Sequence, residues 1–466
     1  MIDHGLPAKY PAQAGYFVCA LVCVVMMADV VSVARQVIDG LGLRGRSVCV
    51  GLSGGMDSVV LLHTLIGLAN SFELRVSAVH VNHGLHPRAA HWAAFCADLC
   101  ATHGVPLSVE QVVVSRASGL GIEAAARAQR YAVFAGLQAD YLMLAHHLDD
   151  QAETLLLQLL RGAGAEGLSA MPIERPLGVD GPGLLRPLLT LRRSELTAYA
   201  EANALAWIED DSNAELIYDR NFLRHKILPL IEGRFPAYRS TLSRSGRNLA
   251  DVAKLAGILG EQDLAALRVG DAIALDRART WPVCRVLNAL RALFRDLGYP
   301  APRRAVLTEA ARQAFEAGPE AQVRVDFGDL SLRRYQGSLH VVKNVCVPET
   351  WRAEWRGEEA IKLPPGLGVL RFRRATGAGP AVSKLQGKVV SVALRSGGER
   401  MALAANRPHR SLRKLYQDAD VAPWLRERTP LLFCGKHLVF VPGLGTAAEF
   451  QAAPDEACWA MDWVAD

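Results

Sequence analysis

The feature that most limits what this chain can fold into is a regular alternation of short apolar runs and helical patterns between residues 47 and 160. Residues 47–52 read as a strand ending in Ser-Gly-Gly, 59–69 as a helix, 74–81 as a strand and 91–103 as a helix. The pattern continues with a strand at 106–114, an alanine-rich helix at 122–138, a strand at 141–145 and a helix at 149–161. Such alternation predicts an α/β fold, a parallel sheet with helices on both faces. Ligands of these sheets bind beyond the carboxyl ends of the strands, where the strand order reverses. Residues at those ends are therefore the candidates for chemistry.

Between the first strand and its helix stands Ser53-Gly54-Gly55-Met56-Asp57-Ser58. Glycines let the backbone turn tightly and approach a ligand, and the unpaired amides at a helix start attract anions. The hydroxyls of Ser53 and Ser58 add donors, which suits a pyrophosphate. No Gly-Lys-Ser/Thr follows, so the loop is not of the Walker type and transfer of a terminal phosphate is disfavoured. The plainer alternative is a glycine turn with a serine helix cap.

The fourth strand runs into His146-His147-Leu148-Asp149-Asp150-Gln151-Ala152-Glu153-Thr154. Asp150 and Glu153 are three apart on the opening turn of a helix and share a face. A carboxylate pair there can hold a lysine ammonium or a magnesium ion. Acids complementing the helix dipole are the alternative, and two adjacent histidines at the same edge favour a site. Zinc held by those histidines would lack a third ligand at suitable spacing. Arg127 and Arg130 share a helix face in EAAARAQRY, as do Arg220, Asn221 and Arg224 in RNFLRHK. Each set reads either as solvated charge or as a contact to phosphate, RNA backbone or a substrate anion.

With these residues in place, the Ser-Gly-Gly-x-Asp-Ser loop resembles the PP-loop of ATP pyrophosphatases, which cleave between the α and β phosphates and form adenylates. Further matches narrow the resemblance to the tRNA(Ile)-lysidine synthetase family. They are VHVNHGL at 79–85, EAAAR at 123–127, Arg130-Tyr131, HHLDDQAET at 146–154, Arg161-Gly162, RPLL at 186–189 and WIEDDSN at 207–213, running into Arg220-Asn221-x-x-Arg224. The resemblance implies that the wobble cytidine of a tRNA(Ile) with a CAU anticodon is adenylated by ATP with Mg2+. Free lysine then displaces AMP through its ε-amine. It also implies ATP binding by Ser53, Gly54, Gly55, Met56, Asp57, Ser58 and Arg127, with Asp57 near the Mg2+. Catalytic roles fall to Asp57, His146, Asp150 and Glu153, and substrate contacts to Asp150, Glu153, Arg220, Asn221 and Arg224. One departure is Leu85-His86-Pro87, where the family commonly has Leu-Arg, which puts an arginine contact there in question.

The chain has 466 residues, too many for one core, and Gly and Pro clusters punctuate it. Residues 1–44 read as an N-terminal extension, with Met26 or Met27 as alternative starts, and 45–240 as the nucleotide-binding domain. A small, mainly helical substrate-recognition domain follows at 241–345, ending in short strands, then a connecting segment at 346–384 and a C-terminal α+β domain at 385–466. The formal charge of +5 permits a polyanionic partner without proving one. The last domain adds eight Lys or Arg against four acids between Arg395 and Arg428, with Tyr416 and Trp424 among them, a footprint suited to folded RNA. The nine cysteines show no Cys-x-x-Cys and no disulfide rhythm, so free thiols in a reducing cytoplasm are expected. That lack also disfavours a tRNA thiolase, while a tRNA-binding protein without catalysis is a further rival. The apolar run at 15–34 is broken by Asp29, so no membrane span is expected. A homodimer is compatible with the sequence.

Overall fold

The computed structural model describes residues 30–465 apart from 85, 114–121, 179–180, 212–214 and 319–320, and the side chains of 122 and 123. Most of the expected N-terminal extension, and the Ser212-Asn213 end of the WIEDDSN segment, lie outside the described residues. Contacts divide the chain into two compact units, residues 1–256 and 257–466.

The first unit starts with helix α1 (30–40) and then alternates β1 (Ser47–Gly51), α2 (Met56–Phe72), β2 (Arg75–Asn82), α3 (Ala89–Thr102), β3 (Leu107–Gln111), α4 (Ile122–Ala135), β4 (Tyr141–Met143) and α5 (Leu148–Leu160). A short α6 (Ala165–Leu168) leads to β5 (Glu174–Pro176) and β6 (Gly183–Leu185), followed by α7 (Arg193–Ala202), α8 (Asp219–Phe222) and α9 (Leu228–Arg234). The six strands lie in the order β3-β2-β1-β4-β6-β5. All neighbours are parallel except the edge pair β5 and β6.

The sheet is covered on both faces because successive strand residues point to opposite sides. Val48 and Val50 of β1 join the larger core with α1, α2, α3 and α7, as do Ala78, Met143 and Leu185. Their neighbours Cys49, Val79, Leu142 and Leu184 enter a smaller core with Phe134 of α4. Near-continuous apolar strands are the sequence mark of this double burial. Strand order reverses between β1 and β4, so the loops leaving those strands lie side by side.

The second unit contains a five-stranded antiparallel sheet (268–269, 272–274, 324–327, 330–335 and 338–343) packed with helices Val283–Asp296 and Arg304–Glu316. The first two of its strands were not expected from sequence. Residues 346–384, expected as a connecting segment, are corrected by the strand pairing. Arg352–Trp355 pairs with Val390–Ala393, and Val369–Thr376 pairs with Ala457–Val464. Pro364-Pro365, within that segment, sits in the turn between two paired strands (360–362 and 369–376). The C-terminal core accordingly includes Trp355, Ile361 and Phe372 beside Leu412, Tyr416 and Val439.

Candidate active site

The loop after β1 is held open by its own serines. Ser58 Oγ donates to the carbonyl of Gly55 at 2.8 Å and accepts from the amide of Ser53 at 3.2 Å. Ser53 Oγ accepts from the amide of Gly55 at 3.3 Å. Gly54 has φ +86°, and a Cβ there would lie 2.8 Å from Ile208 Cδ1, so backbone conformation and space both call for glycine. Its carbonyl accepts from the amide of Ile208 at 2.9 Å, which straps the Trp-Ile-Glu-Asp segment onto the loop. Met56 is buried, so what it offers a ligand is its amide at the start of α2.

Asp57 opens α2 with Oδ1 buried and without a hydrogen-bond partner. Its Oδ2 is 3.7 Å from Nε2 of His147, whose ring also faces Asp149 at 3.6 Å and Asp150 at 3.5 Å. These are ion-pair rather than hydrogen-bond distances. Burial alone would push His147 down, but the carboxylates of Asp57, Asp150 and Asp149 more than offset it and raise its pKa. The preceding residue goes the other way. His146 is pushed down to about 4 by burial, with the guanidinia of Arg186, Arg220 and Arg127 adding to the effect against the opposing Asp150. Arg186 Nε donates to His146 Nδ1 at 3.3 Å, so the neutral ring carries its proton on Nε2. Service as a base would require that bond to break.

Asp150 and Glu153 do share a face of α5, and both are buried. Structure joins them to the basic pair that sequence treated separately. Arg220 donates to Glu153 Oε2 and Asp150 Oδ1, each at 2.7 Å. Arg224 donates to Glu153 Oε1 at 2.6 Å and Oε2 at 2.9 Å. Burial pushes the Asp150 carboxyl up, but His147 and Arg220 outweigh it and hold it below the usual carboxylate range. Arg220 lies on the short α8, while Arg224 lies in a π-helical turn at Leu223–Ile227. Asn221 donates to the carbonyl of Glu215 at 3.0 Å, stitching the turn before α8.

A cleft of about 370 Å³ lies beside this cluster, lined by Asp149, Glu153, Arg193, Arg224, Glu232 and Arg239 among others. Arg239 binds Asp149 and also Glu232 at 3.0 Å, and Asp149 accepts the amide of Arg193 at 2.8 Å. Sequence reading missed Arg239, which stands in no motif, and gave His147 no role of its own although its motif pointed there. Arg127 lies against Tyr131, its guanidinium 4.9 Å from the ring centre. Where the family commonly has Leu-Arg, Arg88 stands three residues after Leu85 and pairs with Asp211, while His86 stacks on Trp92 at 4.6 Å.

The seven described cysteines are free. Cys96 and Cys100, one helical turn apart, are buried, and burial pushes Cys96 up to about 12, which is unlike a reactive thiolate. Among the described residues, no group of three or more His, Cys, Asp or Glu is arranged to hold a metal by itself, and no helix is long and apolar enough to cross a membrane.

A parallel sheet with a Ser-Gly-Gly-x-Asp-Ser turn at its switch point defines a PP-loop nucleotide-binding domain, and the profile of that domain matches residues 28–231. Profiles described as the TilS substrate binding domain and the TilS substrate C-terminal domain match residues 275–340 and 390–463. The tRNA(Ile)-lysidine synthase of Nitrosomonas europaea is 42% identical over 90% of this chain and 92% of its own length. Those of an Azoarcus species and of Alkalilimnicola ehrlichii are 41% and 40% identical, covering 90% and 87% of this chain and 91% of each relative. The chain belongs to the tRNA(Ile)-lysidine synthase family.

Proposed function

We propose that this chain ligates lysine to carbon 2 of the wobble cytidine of a tRNA(Ile) with a CAU anticodon, releasing AMP and pyrophosphate. The base oxygen attacks the α phosphate of ATP, and pyrophosphate leaves with the electron pair of the broken bond. The ε-amine of lysine, once deprotonated, then attacks carbon 2 and AMP departs, so a poor oxygen leaving group has become a good one. The observation that carries the reading is the juxtaposition of the Ser53–Ser58 turn with a mixed-charge cluster, linked through His147 between Asp57 and Asp150.

The loop amides and the Ser53 hydroxyl suit the phosphates, where they would stabilise developing charge, while Ser58, whose proton goes to the Gly55 carbonyl, shapes the loop. Asp57 Oδ1, buried and unpartnered, fits a Mg2+ that takes its other oxygens from nucleotide and water. When bound, that ion would neutralise the phosphates. Asp150, Glu153, Arg220 and Arg224 suit an amino acid because it is itself a zwitterion. Guanidinium can exchange a protein carboxylate for that of lysine, freeing an acid for an ammonium. Binding would then swap partners without burying an unpaired charge. A carboxylate released in that exchange is better placed than His146 to take the proton from the amine.

The test is release of AMP and pyrophosphate on adding tRNA transcript, ATP and labelled lysine, with label incorporated into RNA. Pyrophosphate without lysine incorporation would point to another adenylating enzyme. No nucleotide turnover would leave a tRNA-binding protein. The thiolase rival is disfavoured by the lack of a Cys-x-x-Cys, and the buried Cys96, pushed up to about 12, is a neutral thiol rather than a reactive thiolate.

A further inference from the structure

Outside the acid cluster, on the other side of His146, one phenol gathers three guanidinia from separate elements. Tyr131 of α4 has its ring footed in the smaller core. Arg127, one turn earlier, donates to its hydroxyl at 3.2 Å. Arg175 of edge strand β5 places its guanidinium 5.4 Å from the ring centre. Arg186, just after β6, is buried and donates to the carbonyl of Pro172 at 2.7 Å and to His146. No carboxylate among the described residues pairs with Arg127, Arg175 or Arg186. Burial would push the Tyr131 phenol up, yet Arg127, Arg186 and Arg175 together hold it below the usual tyrosine value. That is the mark of uncompensated positive potential.

We propose that Arg175, Arg186 and Tyr131 complete, around Arg127, whose contact to ATP the family resemblance already implies, an anion subsite that takes a phosphate group of substrate, with the Tyr131 hydroxyl as one of its donors. Guanidinium forks match phosphate oxygens in paired, charge-assisted bonds. Tyr131 accepts from Arg127, so its own hydroxyl proton is available to the anion. Three positive side chains held together with no acid among the described residues cost stability unless an anion supplies the missing charge. The phosphate comes either from ATP or from the RNA backbone beside the target base.

The inference deepens the ligase reading and rests on it, so wild-type lysine incorporation is measured first; if it is absent, that reading fails, and not the subsite. Arg175→Gln, Arg175→Lys and Tyr131→Phe are made in the full chain and checked by melting curves. Binding of ATP with Mg2+ is measured by calorimetry, and binding of a tRNA transcript by filter retention at several salt concentrations. Arg175→Gln is expected to weaken one of the two about tenfold, Arg175→Lys less, and Tyr131→Phe a few-fold with unchanged melting. Loss confined to ATP assigns a nucleotide phosphate. Loss confined to tRNA, with the log–log salt slope shallower by about 0.7–0.9, assigns the RNA backbone. If the folded Arg175→Gln and Tyr131→Phe proteins keep both affinities within twofold, the subsite does not exist. Should Arg175→Gln fail to fold, Tyr131→Phe decides by the same limits.

Discussion

Replacing Glu153 by glutamine removes one charge from a carboxylate that is 1% exposed and accepts three bonds from Arg220 and Arg224. Removing one partner of a buried pair costs about 3–5 kcal/mol. The guanidinia here keep 31% and 25% exposure, so water recovers part of that, and about 2–3 kcal/mol is expected. For a unit of this size the melting midpoint should fall by roughly 4–12 °C. Losing one charge-assisted bond to an ammonium costs about 1.5–3 kcal/mol, so half-saturation by lysine should rise on the order of 10- to 150-fold. The assay is quench-flow at 25 °C, below the lowered midpoint, with labelled ATP and labelled lysine. Pyrophosphate release should persist while adenylated tRNA accumulates or slowly hydrolyses. Lost pyrophosphate release at saturating ATP, with the lysine dependence unchanged, would refute the reasoning and assign Glu153 to the nucleotide and its metal.

Asp57→Ala should abolish pyrophosphate release and leave tRNA affinity nearly intact, as measured by filter retention; near-normal release would remove Asp57 from the nucleotide site. His146 is held at about 4 when folded against 6.5 when unfolded, so as pH falls from 7 the unfolded chain takes up a proton that the folded chain refuses. Wild type should therefore lose up to about 3 kcal/mol by pH 4 through this residue. Urea titrations should show that slope reduced in His146→Gln, and an unchanged slope would mean His146 is not held neutral. His147 acts in the opposite sense, adding stability below pH 6.5 that is lost as pH rises through its raised value, so His147→Gln should steepen the acid loss. Arg413→Ala and Lys414→Ala, both on an exposed helix face, should each make the log–log salt slope of tRNA binding shallower by about 0.7–0.9 if the side chain touches phosphate. An unchanged slope would make that face structural.

What was legible in the sequence is what is local. The turn at Ser53–Ser58 is legible because its glycine conformation and its serine bonds all fall within six residues. Strands β1 to β4 are legible because burial on both faces leaves apolar runs. Strands β5 and β6 were hidden, since three residues each, set among Gly and Pro, carry no period. Residues 346–384 were misread because prolines between paired strands look like prolines in a linker until pairing with 457–464 is seen. The acid pair and the basic pair were each visible, but Glu153 and Arg220 are 67 residues apart. Nothing in either motif says that one neutralises the other. Arg239 was invisible for the same reason, being one of several arginines on a long helix (Tyr238–Leu267) with nothing local to single it out.

The π-helical turn at Leu223–Ile227 acts as a phase shifter. Such a turn is in effect one extra residue in an α-helix, and one residue corresponds to about 100° of rotation. Deleting a single residue there would let the backbone relax into regular helix, a locally more favourable path. It would also swing Arg224 away from Glu153, or else turn the chain that leads to Arg239. The wider turn is the less stable way to build this helix, and it is what lets arginines on both sides of it aim at one acid cluster. A chain selected for helix stability alone would lose it, and with it the spacing on which the charged cleft depends.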